Sequence, residues 1–259
     1  MRAGAVTVTT ASRNILGVPV AVLQTTSAVT AIGEALAAHR RLDVVFCNAH
    51  TLNLAAGDAA YRSILQRCLC LNDGIGVDLA SRILYGARFP DNLNGTDFTP
   101  VLLDRIASPL RLYLLGAKPG VVARVAETVA TRWPRHTVVG FHSGYFGTDE
   151  AAGVAAAVCA AQPNLVLIAM GNPRQEQWAA AFTDYDGVTM AVGAWFDFAA
   201  GEVPRAPALF RQLRSEWLFR LGLEPGRMWR RYLIGNAVFV ARVFRQRRRS
   251  PSMGRTREA

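Results

Sequence analysis

Leu165-Val166-Leu167-Ile168-Ala169-Met170 runs without a polar side chain, and Gly171-Asn172-Pro173-Arg174-Gln175-Glu176 follows at once. An apolar residue at every position, rather than every second one, suits a strand buried on both faces of a sheet. Gly and Pro then break the strand, and a helical pattern resumes over Arg174–Phe182. Shorter apolar runs at Asp43–Asn48, Leu110–Gly116, Thr137–Phe141 and Val188–Val192 predict four more strands. Helical patterns cover Ser27–His39, Asp58–Cys68, Gly76–Leu84, Thr96–Ile106, Gly120–Arg132 and Glu150–Ala161. Strands alternating with helices predict an α/β fold, a Rossmann-like, mainly parallel sheet with helices on both faces.

In such a sheet a ligand crevice lies beyond the carboxyl ends of the strands, so the polar residues just after each strand matter most. Asn48 follows the first strand, Asp73 lies in a loop after a cysteine-rich segment, and Gly116 to Gly120 follow the Leu110 strand. His142 to Phe146, then Asn172, Arg174 and Gln175, then Trp195 to Asp197 complete a rim drawn from six segments.

Charge divides the chain in two. Residues 1–200 hold equal numbers of acidic and basic side chains, so residues 201–259 carry the whole net charge of +10. Fourteen arginines there alternate with Trp217, Phe219, Trp229, Tyr232, Phe239 and Phe244. Guanidinium groups among aromatics suit a surface that holds phosphate and touches lipid. The expected division is an α/β core over 1–203 and an Arg-rich helical appendage over 204–259. With 51% hydrophobic and 19% charged residues the chain reads as globular. No run approaches the roughly 20 apolar residues of a spanning helix, and the first residues form no sustained apolar segment, so a cytoplasmic location is the default expectation. The spacing of Cys47, Cys68, Cys70 and Cys159 matches no zinc or dithiol motif, so these read as reduced thiols. His39, His50, His136 and His142 form no ligand spacing and read as structural.

Three short motifs carry chemistry. Asn72-Asp73-Gly74-Ile75-Gly76 places a carboxylate in a glycine-lined turn before a helix, where it either accepts a proton from a hydroxyl or serves as a turn or capping residue. Gly116-Ala117-Lys118-Pro119-Gly120 offers a helix N-terminus to an anion, although it matches neither dinucleotide fingerprint nor P-loop and suits a plain strand–turn–helix equally. Asp184-Tyr185-Asp186 has the DxD form that many sugar-nucleotide transferases use for a metal. It precedes the Val188 strand, so it belongs at the amino end of the sheet, away from the crevice, and no metal site is expected.

These residues, in this order, resemble a known family. Asn48, Asn72 to Gly76, Asn94-Gly95-Thr96-Asp97, Leu114 to Gly120, Gly144-Tyr145-Phe146, Gly171 to Glu176, Val192 to Gly201, Arg205-Ala206-Pro207, Glu216 to Leu221 and Glu224 to Tyr232 follow the pattern of the WecG/TagA/CpsF glycosyltransferases, family 26. The resemblance runs from about Ile15 to Val240. It implies an inverting, metal-independent enzyme without cofactor, at the inner face of the bacterial cytoplasmic membrane. The implied reaction moves a sugar from a UDP-sugar donor to a polyprenyl-diphosphate-linked sugar, in exopolysaccharide or cell-surface polymer synthesis. It implies Asp73 as catalytic base, with Asn48, Gln175 and Asp197 lining the donor–acceptor site. Further substrate-binding positions are Gly74, Asn94, Asp97, Gly116, Lys118, Tyr145, Asn172 and Arg205. Arg220, Arg227, Arg230 and Arg231 fall in the segment that completes the site and meets the membrane.

Two positions depart from some members: Phe46 stands where they have Thr, and Asn92 where they have Arg. The Asn92 to Asp97 form resembles the exopolysaccharide branch, which implies glucose or another neutral hexose among donors that include N-acetylmannosamine and its uronic acid. A nucleic-acid-binding protein using the basic tail is the alternative, but it would leave the carboxylate-bearing rim idle. A nucleotide-sugar epimerase would show a dinucleotide fingerprint after an early strand, and the sequence has none.

Overall fold

The structure is a computed structural model that describes residues 10–182, 184–204, 222, 226, 229 and 233–249. Its centre is an eight-stranded sheet of β1 (Ser12–Ile15), β2 (Val18–Ala21), β3 (Leu42–Cys47), β4 (Leu69–Asn72), β5 (Arg111–Gly116), β6 (Thr137–His142), β7 (Leu165–Ala169) and β8 (Val188–Ala191). Their order across the sheet is β1-β2-β4-β3-β8-β7-β5-β6, and every pairing is parallel except the β1–β2 hairpin. Leu16 and Gly17, both at positive φ, make the two-residue turn of that hairpin. The helices are α1 (Thr25–Ala37), α2 (Ala49–Gly57), α3 (Ala59–Leu65), α4 (Ile75–Tyr85), α5 (Gly95–Arg105), α6 (Pro119–Arg132), α7 (Ala151–Ala161), α8 (Arg174–Ala181), α9 (Trp195–Ala199) and α10 (Gly235–Arg249).

Alternation along the strands divides the core into two layers. Val44 and Phe46 join one apolar cluster with residues of α1, α5, α6 and α9, while Val45 and Cys47 join another with α2, α3, α4 and α10. On β7, Leu165, Leu167 and Ala169 face the first layer, and Val166 and Ile168 face a third cluster built with α7 and α8. Helices therefore cover both faces, as the uniformly apolar β7 predicts. Adjacent strands β3 and β8 lead into helices on opposite faces, since α2 packs in one cluster and α9 in the other. That divergence opens a crevice at the carboxyl ends of the strands.

Beyond Gly201 the described part of the basic segment is chiefly α10. Phe239 and Val243 are buried in the cluster shared with α2 and α4. Gln246 donates to the Asn14 carbonyl at 2.9 Å and accepts from the Leu16 N–H at 2.9 Å, tying α10 to the hairpin. Arg242 donates to the Asn53 carbonyl of α2 at 2.7 Å. This helix is thus packed on the core, and its charged last turn, Arg247 to Arg249, is exposed. Among the described residues no helix is long and apolar enough to cross a membrane.

Candidate active site

A cleft of about 630 Å³ opens at the carboxyl ends of β3 to β8. Asn48, Asp73, Lys118, Tyr145, Asn172, Gln175 and Asp197 all line it, so the turns after six strands converge on one space. Gly74, Asn94, Asp97 and Gly116 are placed differently: they shape its wall. Gly74 caps α4 at φ +83, a conformation that favours glycine, and its N–H donates to Asn92 Oδ1 at 2.8 Å. Asn94 caps α5 by accepting from the Asp97 N–H at 2.9 Å and donates to the Asp97 carboxylate at 2.9 Å. A Cβ on Gly116 would lie 2.4 Å from the Ala169 carbonyl oxygen, so β5 can end beside β7 only with glycine there. Arg205, Arg220, Arg227, Arg230 and Arg231 lie outside the described residues.

Two strand ends hold Asp73. Its N–H donates to the Cys47 carbonyl at 2.9 Å, and its carboxylate accepts from Asn48 Nδ2 at 3.2 Å. Asn48 Oδ1 is itself taken up as the N-cap of α2, accepting from the His50 and Thr51 N–H groups at 3.0 and 3.1 Å. An amide whose oxygen is so engaged must turn its nitrogen to the carboxylate. The N-cap of α4 is Gly74 rather than Asp73, and the Asp73 carboxylate, partly exposed, lines the cleft.

Phe46 packs against Gly95 at the start of α5, so closely that a Cβ on Gly95 would meet its ring at 2.8 Å. That wall, with Asn48 and Thr96, brings no cation to the cleft. Lys118 and Arg174 are the basic lysine and arginine side chains lining it among the described residues. Asp184 and Asp186 instead line a separate depression with His39 and Asn164, at the amino ends of β7 and β8.

Residues 13–252 match the model of the Glycosyl transferase WecG/TagA/CpsF family. The chain belongs to that family. Two relatives are named N-acetylglucosaminyldiphosphoundecaprenol N-acetyl-beta-D-mannosaminyltransferase. The Bacillus spizizenii protein is 30% identical over 73% of this chain and 74% of its own length. That of Bacillus subtilis strain 168 is 33% identical over 69% of this chain and 70% of its own.

In this WecG/TagA/CpsF chain the sequence reading missed a buried carboxylate beneath the cleft. Glu176, 1% exposed, accepts through Oε1 from Asn172 Nδ2 at 2.6 Å and Gln175 Nε2 at 2.7 Å, and through Oε2 from the Tyr61 hydroxyl at 3.0 Å. Its glutamate sits in the first turn of α8, where an acidic residue ordinarily needs no special account. His50, for which the sequence predicts a structural role, lines the cleft two residues after Asn48. His136 is structural, its ring accepting from the Leu110 N–H at 3.0 Å and meeting the Leu103 carbonyl at 2.8 Å. All four cysteines are free thiols.

Burial pushes the Glu176 carboxyl from 4.5 up to about 7, against the lowering effect of Gln175, Tyr61 and Asn172. Burial also pushes the neighbouring Tyr61 hydroxyl well above its usual range, and the Cys47 hydrogen bond together with burial does the same for the Cys70 thiol. The folded chain therefore holds the Glu176 proton more tightly than the unfolded chain. That contribution to stability is fully present below pH 4.5 and is lost as the pH rises through about 7. Glu176→Gln removes the titration. The stability of the parent relative to this variant is expected to fall by about 3 kcal/mol between the acid and alkaline sides of that window. Urea unfolding of both proteins at about pH 4 and pH 8 measures it, and a difference independent of pH would show that the Glu176 carboxyl titrates alike in the folded and unfolded chains.

Proposed function

We propose that this chain is an inverting, metal-independent glycosyltransferase that moves an uncharged sugar from a UDP-sugar to a polyprenyl-diphosphate-linked sugar. The observation that carries the reading is Asp73, fixed by Asn48 at the carboxyl end of β4 inside a large polar cleft. The acceptor hydroxyl attacks the anomeric carbon as its proton passes to Asp73, while the bond to the UDP oxygen breaks. Asn48, Gln175 and Asp197 shape the site around the reacting sugars, and exposed Tyr145 at the rim offers a ring to the uracil base. Lys118 at the start of α6, with the arginines of the basic segment, offsets the charge of the departing diphosphate. The relatives' names support an acceptor built on a lipid diphosphate. Among the described residues the wall of Phe46, Asn48, Gly95 and Thr96 is uncharged, which supports a neutral hexose or N-acetylhexosamine as the donor sugar. Work at the inner leaflet of the cytoplasmic membrane, in building an exopolysaccharide or cell-surface polymer, follows from such an acceptor.

The test is UDP release from a panel of UDP-sugars, with and without a short-chain polyprenyl-diphosphate sugar. Acceptor-dependent release is expected, with full activity retained in EDTA. No release from any donor would overturn the transferase reading. Loss in EDTA that Mg²⁺ or Mn²⁺ restores would overturn the metal-independent mechanism.

A further inference from the structure

Glu176 is buried, ionisable and absent from the mechanism above, yet it binds two residues that line the cleft. Its two oxygens are divided. Oε1 takes the amide nitrogens of both Asn172 and Gln175, and Oε2 takes the Tyr61 hydroxyl. With any proton on Oε2, beside the Tyr61 hydroxyl, Oε1 accepts whether or not the group is ionised, so it selects the nitrogen end of each amide. Gln175 Oε1 is then consumed by the Gly171 N–H at 3.2 Å. Asn172 Oδ1 is the amide oxygen turned away from the carboxylate, in a residue at the cleft surface.

We infer that Glu176 is a positioning residue that sets the hydrogen-bonding polarity of the cleft floor, presenting Asn172 as an acceptor to an O–H or N–H of the bound UDP-sugar. The inference rests on the cleft's being the donor site, as proposed above. Tyr61 reaches Glu176 from α3, which packs against α8, so a neighbouring helix braces the floor against rotation. An apolar residue at 176 would leave Gln175 still held through Oε1 by the Gly171 N–H, but would leave Asn172 free to turn and to offer its N–H₂ as readily as its oxygen. Gln at 176 keeps an accepting oxygen for the two amides while its own nitrogen faces the Tyr61 oxygen.

The experiment measures donor KM and kcat with the UDP-sugar that the parent turns over fastest. Glu176→Leu is expected to raise donor KM roughly 10-fold with kcat within about threefold, the loss of one oriented hydrogen bond to a bound ligand. Glu176→Gln is expected to recover most of that affinity. Asn172→Ala is expected to raise donor KM by a similar factor, and Glu176→Leu/Asn172→Ala to be no worse than Asn172→Ala alone, because Glu176 acts through Asn172. Should Glu176→Leu fail to fold, Glu176→Met keeps the unbranched stem and the volume for the same measurement. A folded apolar variant with unchanged donor KM, additive effects of the two sites, or an Asn172→Ala enzyme with the parent's KM would each overturn the inference. Those results presuppose an active parent, so they are distinct from a parent that releases no UDP, which overturns the transferase reading instead.

Discussion

Asp73→Asn is expected to lower turnover by roughly 10²-fold or more while donor binding and fold persist. The substitution changes one atom. The backbone N–H still reaches the Cys47 carbonyl, and the new amide oxygen still accepts from Asn48, whose own oxygen remains committed to the cap of α2. Stability should stay within about 1 kcal/mol of the parent, since no packing is lost. Missing is the capacity to take the acceptor's proton as the glycosidic bond forms. A base of this kind acts in the transition state, so kcat and kcat/KM should fall together. Near-normal turnover at saturating donor and acceptor would remove Asp73 from the role, and a rise in KM alone would make it a binding residue.

The sheet was legible in its apolar runs: β3, β5, β6, β7 and β8 lie within a residue of their expected bounds, and β7, buried at every position, is the unbroken one. β4 was hidden because Leu69-Cys70-Leu71-Asn72 is short and sits directly after the helical pattern of α3, which the sequence extended to Cys68. The β1–β2 hairpin escaped because Ser12-Arg13-Asn14-Ile15 lies at an edge, where polar residues are tolerated, and its turn uses Leu16 instead of Asn. Helix α2 escaped because its start is Asn48, read as a rim residue: one side chain performs both tasks.

The cleft was legible for the same reason as the sheet. Residues just past parallel strands must gather at one end, and Asn48, Asp73, Lys118, Tyr145, Asn172, Gln175 and Asp197 do. Glu176 was not legible, because its character comes from Tyr61, 115 residues away in sequence. Nothing local distinguishes a buried carboxylate from a solvated one in a first helical turn. Phe46 shows the converse limit. Sequence marks the substitution, but its packing on Gly95 becomes visible only when β3 and α5 are brought together.

The second large effect concerns attachment to the membrane. Arg247→Glu/Arg248→Glu/Arg249→Glu is expected to weaken binding to anionic vesicles by roughly 10²-fold or more at low salt. A basic side chain near an anionic leaflet contributes about 1 kcal/mol, so removing three such contributions already gives about that factor, and reversed charge adds repulsion. The structure makes this a cleaner test than deleting the segment. Truncation after Gly201 would remove Phe239 and Val243 from the core cluster and Gln246 from the hairpin, confounding membrane binding with stability. Arg247, Arg248 and Arg249 are exposed in the last turn of α10, beyond those contacts. Exposed Val238 and Phe244 on the same helix offer apolar insertion, which salt does not screen. Turnover on a short-chain soluble acceptor should therefore survive the triple reversal. Substitutions at Arg220, Arg227 and Arg231, outside the described residues, are expected to behave oppositely, lowering turnover on that acceptor in line with the diphosphate-binding role proposed for the basic segment. Co-sedimentation with vesicles of anionic and of zwitterionic lipid separates charge from insertion. Parent protein that fails to bind anionic vesicles at low salt, or a triple variant that binds them as the parent does, would sink the docking role of this helix end.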